Sequence, residues 1–357
     1  MKNIHQPSGF FIGLLLLIGS IVCAQAQDPR FSQIQSSPLQ LNPALTGVYP
    51  GDHRLATNYR ELYASILGDQ PYRTLAASYD ARLPLSGGDY VGIGIQALRD
   101  QAGIGNFTRS TAHLSGAYLK QLNSRYRGRG ADQYLVAGAQ VGFGQYSVAS
   151  NRLWFSEQYD QESASIDWNK PAGELFEQIP TRLFPDVNAG LLWYSLFEDR
   201  KSIYAGVAVH HINRPDISLG SFAAERLPQR WVATIGGEWL LGQDLSVMPA
   251  VAHLRQGVYA STTVGTQFRY NSREWKEVAL RVGAWLHLSN AIEQGFLQDA
   301  IIVGTVLETE KLNIGLSYDL TVSRLALAND TRGAFELSVQ YIQPSKTRRP
   351  KVNCPNF

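Results

Sequence analysis

Residues 311–342 read KLNIGLSYDLTVSRLALANDTRGAFELSVQYI. In the first half Leu312, Ile314, Leu316, Tyr318 and Leu320 alternate with Asn313, Gly315, Ser317 and Asp319. After a break, Phe335, Leu337, Val339 and Tyr341 alternate with Glu336, Ser338 and Gln340. A period of two is the signature of a β-strand, because successive side chains point to opposite faces. One face is apolar and carries aromatics; the other is small and polar. In a soluble sandwich the apolar face looks inward. In an outer-membrane barrel it looks to lipid, and the polar face lines the lumen. The hairpin alone fits both, so the remaining chain has to decide.

Moving outward, about fourteen alternating segments separated by turn signals are predicted. They fall near 53–62, 72–83, 89–99, 107–121, 132–148, 187–196, 201–212, 229–241, 244–254, 257–271, 277–289, 298–308, 311–321 and 332–343. An even number suits a bacterial single-chain barrel. Charges fall repeatedly on the small-residue face: Arg281 and His287 oppose Val278, Leu280, Val282 and Leu286, and Arg230 and Glu238 oppose Trp231, Ile235 and Trp239. A wet lumen tolerates those charges; a dry sandwich core does not. Connections alternate in length. One set is mostly tight, as at 85–88, 198–199 and 309–310; the other includes 151–185, 213–228 and 321–331. Short connections on one side and long ones on the other are what a barrel shows, with the short side periplasmic. The first strand, near Arg54 to Arg60, should pair with the last and close the ring.

Composition agrees. In 357 residues only 17% are charged, with 32 Gly, 17 Tyr and 7 Trp. Interfacial aromatics and scarce charge suit a lipid-facing β-protein. A net charge of +2 points to no nucleic-acid partner. At the start, Lys2, the apolar run 10–24 and Ala24-Gln25-Ala26 form a secretory signal (1–26) cleaved after Ala26, leaving Gln27. The run is too short for a transmembrane helix, and Val22 before Cys23 does not suit a lipoprotein. Cys354 is then the sole cysteine, which excludes an intramolecular disulfide and a cysteine metal site.

The chain divides into the signal, a segment 27–51 at the periplasmic side or in the lumen, a transmembrane barrel 52–343, and a basic periplasmic tail 344–357 carrying Lys346, Arg348, Arg349 and Lys351. In 27–51, Asn42-Pro43 reads as a helix cap followed by Pro at the first helical position. The long extracellular connection 151–185 mixes Trp154, Phe155, Trp168 and Phe176 with Asp160, Glu162, Asp167, Glu174 and Glu177. Long loops are usually functional or disordered. The four aromatics are the candidate partner-binding residues; the plainer alternative is a solvated loop on the rim.

No catalytic set and no cofactor site emerges. Motifs such as G-x-S-x-G, the P-loop and H-E-x-x-H are missing. His210 and His211, adjacent on a strand, should face opposite sides and so not chelate one metal. His113, His253 and His287 read as lumen polar groups. Gly92-x-Gly94 and Gly142-x-Gly144 have strand period with no following helix, so they mark close backbone approach rather than a dinucleotide site.

Three further stretches carry a family likeness. They are 27–33 (QDPRFSQ), 38–47 (PLQLNPALTG), and Arg54 with Asn58-Tyr59-Arg60. Together with Ser317-Tyr318-Asp319, residues 333–338 (GAFELS) and the terminal Cys-Pro-x-Phe, they resemble the PorP/SprF family of the type IX secretion and gliding apparatus of Bacteroidetes. The residues that carry it are Phe31, Ser32, Gln33, Asn42, Pro43, Ala44, Gly47, Asn58, Tyr59, Arg60, Cys354, Pro355 and Phe357. The resemblance implies a non-enzymatic outer-membrane barrel, in contact with membrane lipid and with other machinery proteins. It would bind or anchor a secreted cell-surface protein or adhesin, with 27–51 folded against or into the lumen. The alternative is a channel or transporter for small solutes. A soluble periplasmic β-protein is a weaker third reading.

Overall fold

The computed structural model describes residues 27–344 except 69, 86–87, 104, 124–130, 150–152, 155, 168, 171–182, 199–200, 219–224, 272–277 and 291–294. The signal segment 1–26 and nearly all of the tail lie outside the described residues.

The strands are β1 (His53–Leu62), β2 (Tyr72–Pro84), β3 (Tyr90–Ala102), β4 (Phe107–Asn123), β5 (Asp132–Ser147), β6 (Tyr159–Asp160), β7 (Ser165–Ile166), β8 (Leu183–Glu198), β9 (Lys201–His210), β10 (Arg230–Leu240), β11 (Leu245–Gln256), β12 (Tyr259–Tyr270), β13 (Val278–Asn290), β14 (Phe296–Thr309), β15 (Leu312–Thr321) and β16 (Arg332–Gln343). β6 and β7 form a small separate hairpin in the longest connection; the other fourteen close one antiparallel barrel. β1 pairs with β16, with Asn58 opposite Ser338 and Arg60 opposite Glu336, so the ends of the sheet meet as the alternation requires.

The closing hairpin takes the barrel orientation. Leu316, Tyr318, Phe335 and Tyr341 are exposed on the outside, while Ser317, Asp319, Glu336 and Ser338 are buried. The outer face repeats this all round, with Ile95, Leu114, Val141, Leu191, Val207, Trp231, Ile235 and Val282 each at least half exposed. A continuous apolar band of that kind is stable only against lipid. No helix among the described residues is long and apolar enough to cross a membrane; the crossing is made by strands.

Three strand-level expectations change. β8 begins at Leu183, not near 187, and takes in Pro185. There β8 pairs with β5 only, since pairing with β9 starts at Ala189, and Asn213 stands in for the missing strand through Val187 N–H and Pro185 O. A proline is tolerated where the ladder has no second neighbour. His253 points outward, hydrogen-bonded to Thr262, rather than into the lumen. His210 and His211 do not oppose each other: β9 ends at His210, His211 has φ +57°, and both side chains are buried.

The inner wall is not uniformly small and polar either. Leu119, Val136, Leu192 and Tyr194 point inward from β4, β5 and β8 and pack with Ala44, Leu45 and Val48 of the N-terminal segment. That segment fills the lumen and dries this sector, so both faces of these strands are apolar.

Candidate functional site

A buried segment without a sheet of its own must find partners for its backbone groups elsewhere. Residues 27–51 find them on the barrel wall, and the family-like residues are the ones that make the match. Ser32 N–H and Gln33 N–H both donate to the Glu336 carboxylate, at 2.5 and 3.1 Å. Ser32 Oγ donates to Asp319 at 2.7 Å. Arg60 donates to Ser32 Oγ at 3.1 Å and to Asp319 at 3.0 Å. Asn58 donates to Ser36 Oγ and to Glu336. Arg60 is shared by the two carboxylates, 3.0 Å from Asp319 and 3.9 Å from Glu336, and each carboxylate also accepts neutral donors, which lowers the cost of burying charge.

Next in the chain, Pro38–Leu41 forms one helical turn and Pro43–Leu45 one 3₁₀ turn. Asn42 caps the second: its Oδ1 accepts from Ala44 N at 2.8 Å. Its Nδ2 donates outward to the wall carbonyls of Leu191 and Val207, at 3.1 and 3.2 Å. Pro43 supplies the fixed φ of a first helical position. Inward glycines make room. A Cβ on Gly138 would lie 2.5 Å from backbone atoms of Pro43 and Ala44, and one on Gly92 would lie 2.3 Å from Thr46 O. Gly47 itself has φ +78° and meets Gly92 Cα, which accounts for glycine there. Its N–H donates to Asp80 at 2.8 Å. Asp80 is held by Arg54 through two hydrogen bonds, 3.0 and 2.8 Å, with both side chains almost fully buried. Arg54 also donates to Leu45 O and stacks over Tyr49.

The other end of the segment reaches the rim of long connections. Asp28 accepts hydrogen bonds from Arg109 and from His211 Nε2, the latter at 2.8 Å, and forms an ion pair with Arg230 at 3.1 Å. His211 Nδ1 lies 2.8 Å from Asp186, which also meets His113 Nε2 at 2.8 Å. Burial works against the charge on Asp28, but Arg109, His211 and Arg230 hold its carboxyl well below the usual range. Burial likewise opposes charge on His211, and the carboxylates of Asp28 and Asp186 raise it. The segment therefore runs through the lumen, from Asp28 at one rim to Gly51 beside Gln343 at the other.

Of the family-like residues, Ser32, Gln33, Asn42, Pro43, Ala44, Gly47, Asn58 and Arg60 meet at this plug–wall contact. Phe31 borders a lumenal cavity. Tyr59 does not join them; it hydrogen-bonds Glu61 beside it. Cys354, Pro355 and Phe357 lie outside the described residues. So do Phe155, Trp168 and Phe176; Trp154 is half exposed, its ring 6.2 Å from that of Tyr159. The wall carboxylates Glu336, Asp319 and Asp80 were not singled out as partners of the N-terminal segment by the sequence. Their one signal is that they are acidic residues on the small-residue face of a strand. Among the described residues no group of three or more His, Cys, Asp or Glu is arranged to hold a metal.

Comparison with protein families matches residues 23–341 to the family described as type IX secretion system membrane protein PorP/SprF. No curated protein matches. Two similar solved structures are a Pseudomonas aeruginosa FadL homologue and a deltaS2 mutant of the TodX monoaromatic hydrocarbon channel. The first is 12% identical, covers 89% of this chain and 99% of that one, and has a TM-score of 0.48. The second is also 12% identical, with 86% and 93% covered and a TM-score of 0.46.

Proposed function

The chain belongs to the PorP/SprF family of type IX secretion system membrane proteins, and from that premise we propose that it is a plugged barrel that binds or anchors a secreted cell-surface protein. The observation that carries this reading is the occupied lumen. A segment tied at one rim by the buried Asp28–Arg109 ion pair, and toward the other by backbone hydrogen bonds to the buried Arg54–Asp80 pair, leaves no wide pore, so the lumen serves as scaffold and the rims offer the surfaces. In this reading the short connections face the periplasm and the machinery, and the long ones face outward. The connection between β5 and β8, where Trp154 stands half exposed beside Tyr159, meets the client. Aromatic side chains with an apolar body and a polar edge are the usual anchors of such contacts.

Deleting residues 155–180 tests this. The barrel should still assemble and resist heat in detergent, while the client is lost from the cell surface into the medium. Full retention of the client with an intact barrel would remove the loop from the proposal.

A further inference from the structure

The plug fits one side of the lumen and stands off the other. Its hydrogen bonds reach β1 to β5, β8 to β11 and β14 to β16. Three cavities lie between the plug and the wall that includes β12 and β13: the first against Gln35 and residues 48–50, the other two against residues 29–41. The first, about 330 Å³, opens at the rim of short turns between Arg269, Arg281 and Glu308. The second, about 40 Å³, is bordered by Gln33, Gln267 and Trp285 and shares Gln35, Arg281, Asn313 and Gln340 with the first. The third, about 80 Å³, has a mostly apolar surface, bordered by Phe31, Leu41, Val232 and Leu254, with Thr263 and His287 among its polar residues. Only Ile34 borders both the second and the third.

Among the buried polar atoms of these cavity walls without a hydrogen-bond partner are Gln267 Oε1 in the second and His287 Nε2 in the third, the latter 3.9 Å from Asp299. His287 Nδ1 meets Thr263 at 2.9 Å, and the side chain is 1% exposed. A buried polar atom left alone is costly, and even the smallest cavity exceeds the roughly 10–15 Å³ that holds one water. The wall glycines tell the same story. Cβ atoms on Gly265 and Gly283 would meet only the wall, the Ala284 carbonyl and Trp285 in one case and the Thr266 carbonyl and Gln267 in the other, whereas those on Gly92 and Gly138 would meet the plug.

We propose that the barrel is sealed on one side only, and that a passage for water and small uncharged solutes runs along β12 and β13, polar from its mouth to a narrowing at Ile34 and largely apolar beyond it. Arg269 and Arg281 are matched by Glu308 and by Glu238 behind it, so no single-sign field selects an ion at its mouth. The passage does not rest on the client-binding reading, because a barrel that anchors a client works whether or not water crosses it.

The test is osmotic response of vesicles carrying the full-length mature protein. Vesicles with the native protein should pass water and glycerol several-fold faster than empty ones and should exclude a trisaccharide. Ile34→Trp should return glycerol entry to the level of empty vesicles, and Ile34→Ala should raise it several-fold. Thr263→Phe blocks the third cavity from the wall side and covers the case in which Ile34→Trp does not fold; heat-resistant migration in detergent gels shows which variants are folded. Native protein no faster than empty vesicles would overturn the passage. So would entry of the trisaccharide, which reports a displaced plug, or unchanged glycerol entry in a folded blocking variant.

Discussion

The two sides of the lumen are built by different rules. Toward β1 to β9 the N-terminal segment is held by backbone geometry: glycine clefts, a capped turn, apolar packing and the Arg54–Asp80 pair. Toward β12 and β13 it meets polar side chains across cavities. The first kind of contact is dry, and each group depends on one specific partner. The second is wet enough for water to replace a lost partner. Equal chemical changes on the two sides should therefore have unequal consequences.

The largest difference is expected for carboxylates. Asp80→Ala leaves the buried Arg54 guanidinium unpaired and Gly47 N–H without its acceptor. Removing one member of a buried pair costs about 3–5 kcal/mol. The variant should expose residues 27–51 to protease and lower the thermal unfolding temperature in detergent. Glu308→Ala removes one partner of Arg269 and Arg281, but Arg269 keeps Glu238, and Glu308 itself lines the 330 Å³ cavity, where water can take its place. Asp80 lines none of the three cavities, although Arg54 borders this one. The effect of Glu308→Ala on both measurements should be clearly smaller. Equal losses would break the distinction between a dry and a wet side.

Glycines sharpen it at a lower magnitude. Gly138→Ala drives a methyl into backbone atoms of Pro43 and Ala44, which cannot swing aside. Overpacking of this kind costs about 1–3 kcal/mol. Gly116→Ala, one strand away, has nothing within 4 Å of the added carbon and serves as the control. Hydrogen exchange of residues 42–47 should quicken in the first variant and stay unchanged in the second. Slow exchange in both would mean the turn is not seated where Gly138 leaves room.

Much of this architecture is legible in the residues themselves. The fourteen strands stand out because alternation is sustained over ten or more positions, and pairing of β1 with β16 follows once the sheet must close. Asn42-Pro43 announces its turn because the cap and the proline are local signals. The plug contacts are not legible, because they join residues far apart: Ser32 meets Glu336 across 304 positions and Asp319 across 287. No periodicity encodes such a pairing; only the likeness of the N-terminal motifs to a family marks those residues. The inward Leu119, Val136 and Tyr194 escape the alternation rule because the plug turns a lumen wall into a core. His211 and His253 are misplaced for different reasons. β9 ends at His210, so parity no longer places His211, whereas parity is unbroken through β11 and sets His253 on the outer face with Val247 and Val251; its polarity alone suggests the lumen.

The smallest expected effect lies at the rim where Asp28 is clasped. Each ring nitrogen of His211 lies 2.8 Å from a carboxylate oxygen, of Asp28 on one side and Asp186 on the other. Both acceptors need an N–H, so the fitting form is the imidazolium. Its raised pKa means the clasp gains stability that is complete below the ordinary histidine value and is lost as pH rises through the raised one. Asp28 has the opposite sign: its contribution is complete above the ordinary carboxylate value and is lost only as pH falls far below it. The clasp should therefore hold through mildly acid pH and loosen on the alkaline side. The loosening is modest because Arg109 and Arg230 still face Asp28 when His211 is neutral, while Asp186 keeps His113. Protection of residues 28–31 against hydrogen exchange, taken relative to the unstructured-chain rate at each pH, should fall in one small alkaline step. His211→Gln should remove that step and leave protection slightly lower and constant throughout. An alkaline step of full size in His211→Gln would assign the titration to another group and leave the two arginines as the whole of the clasp.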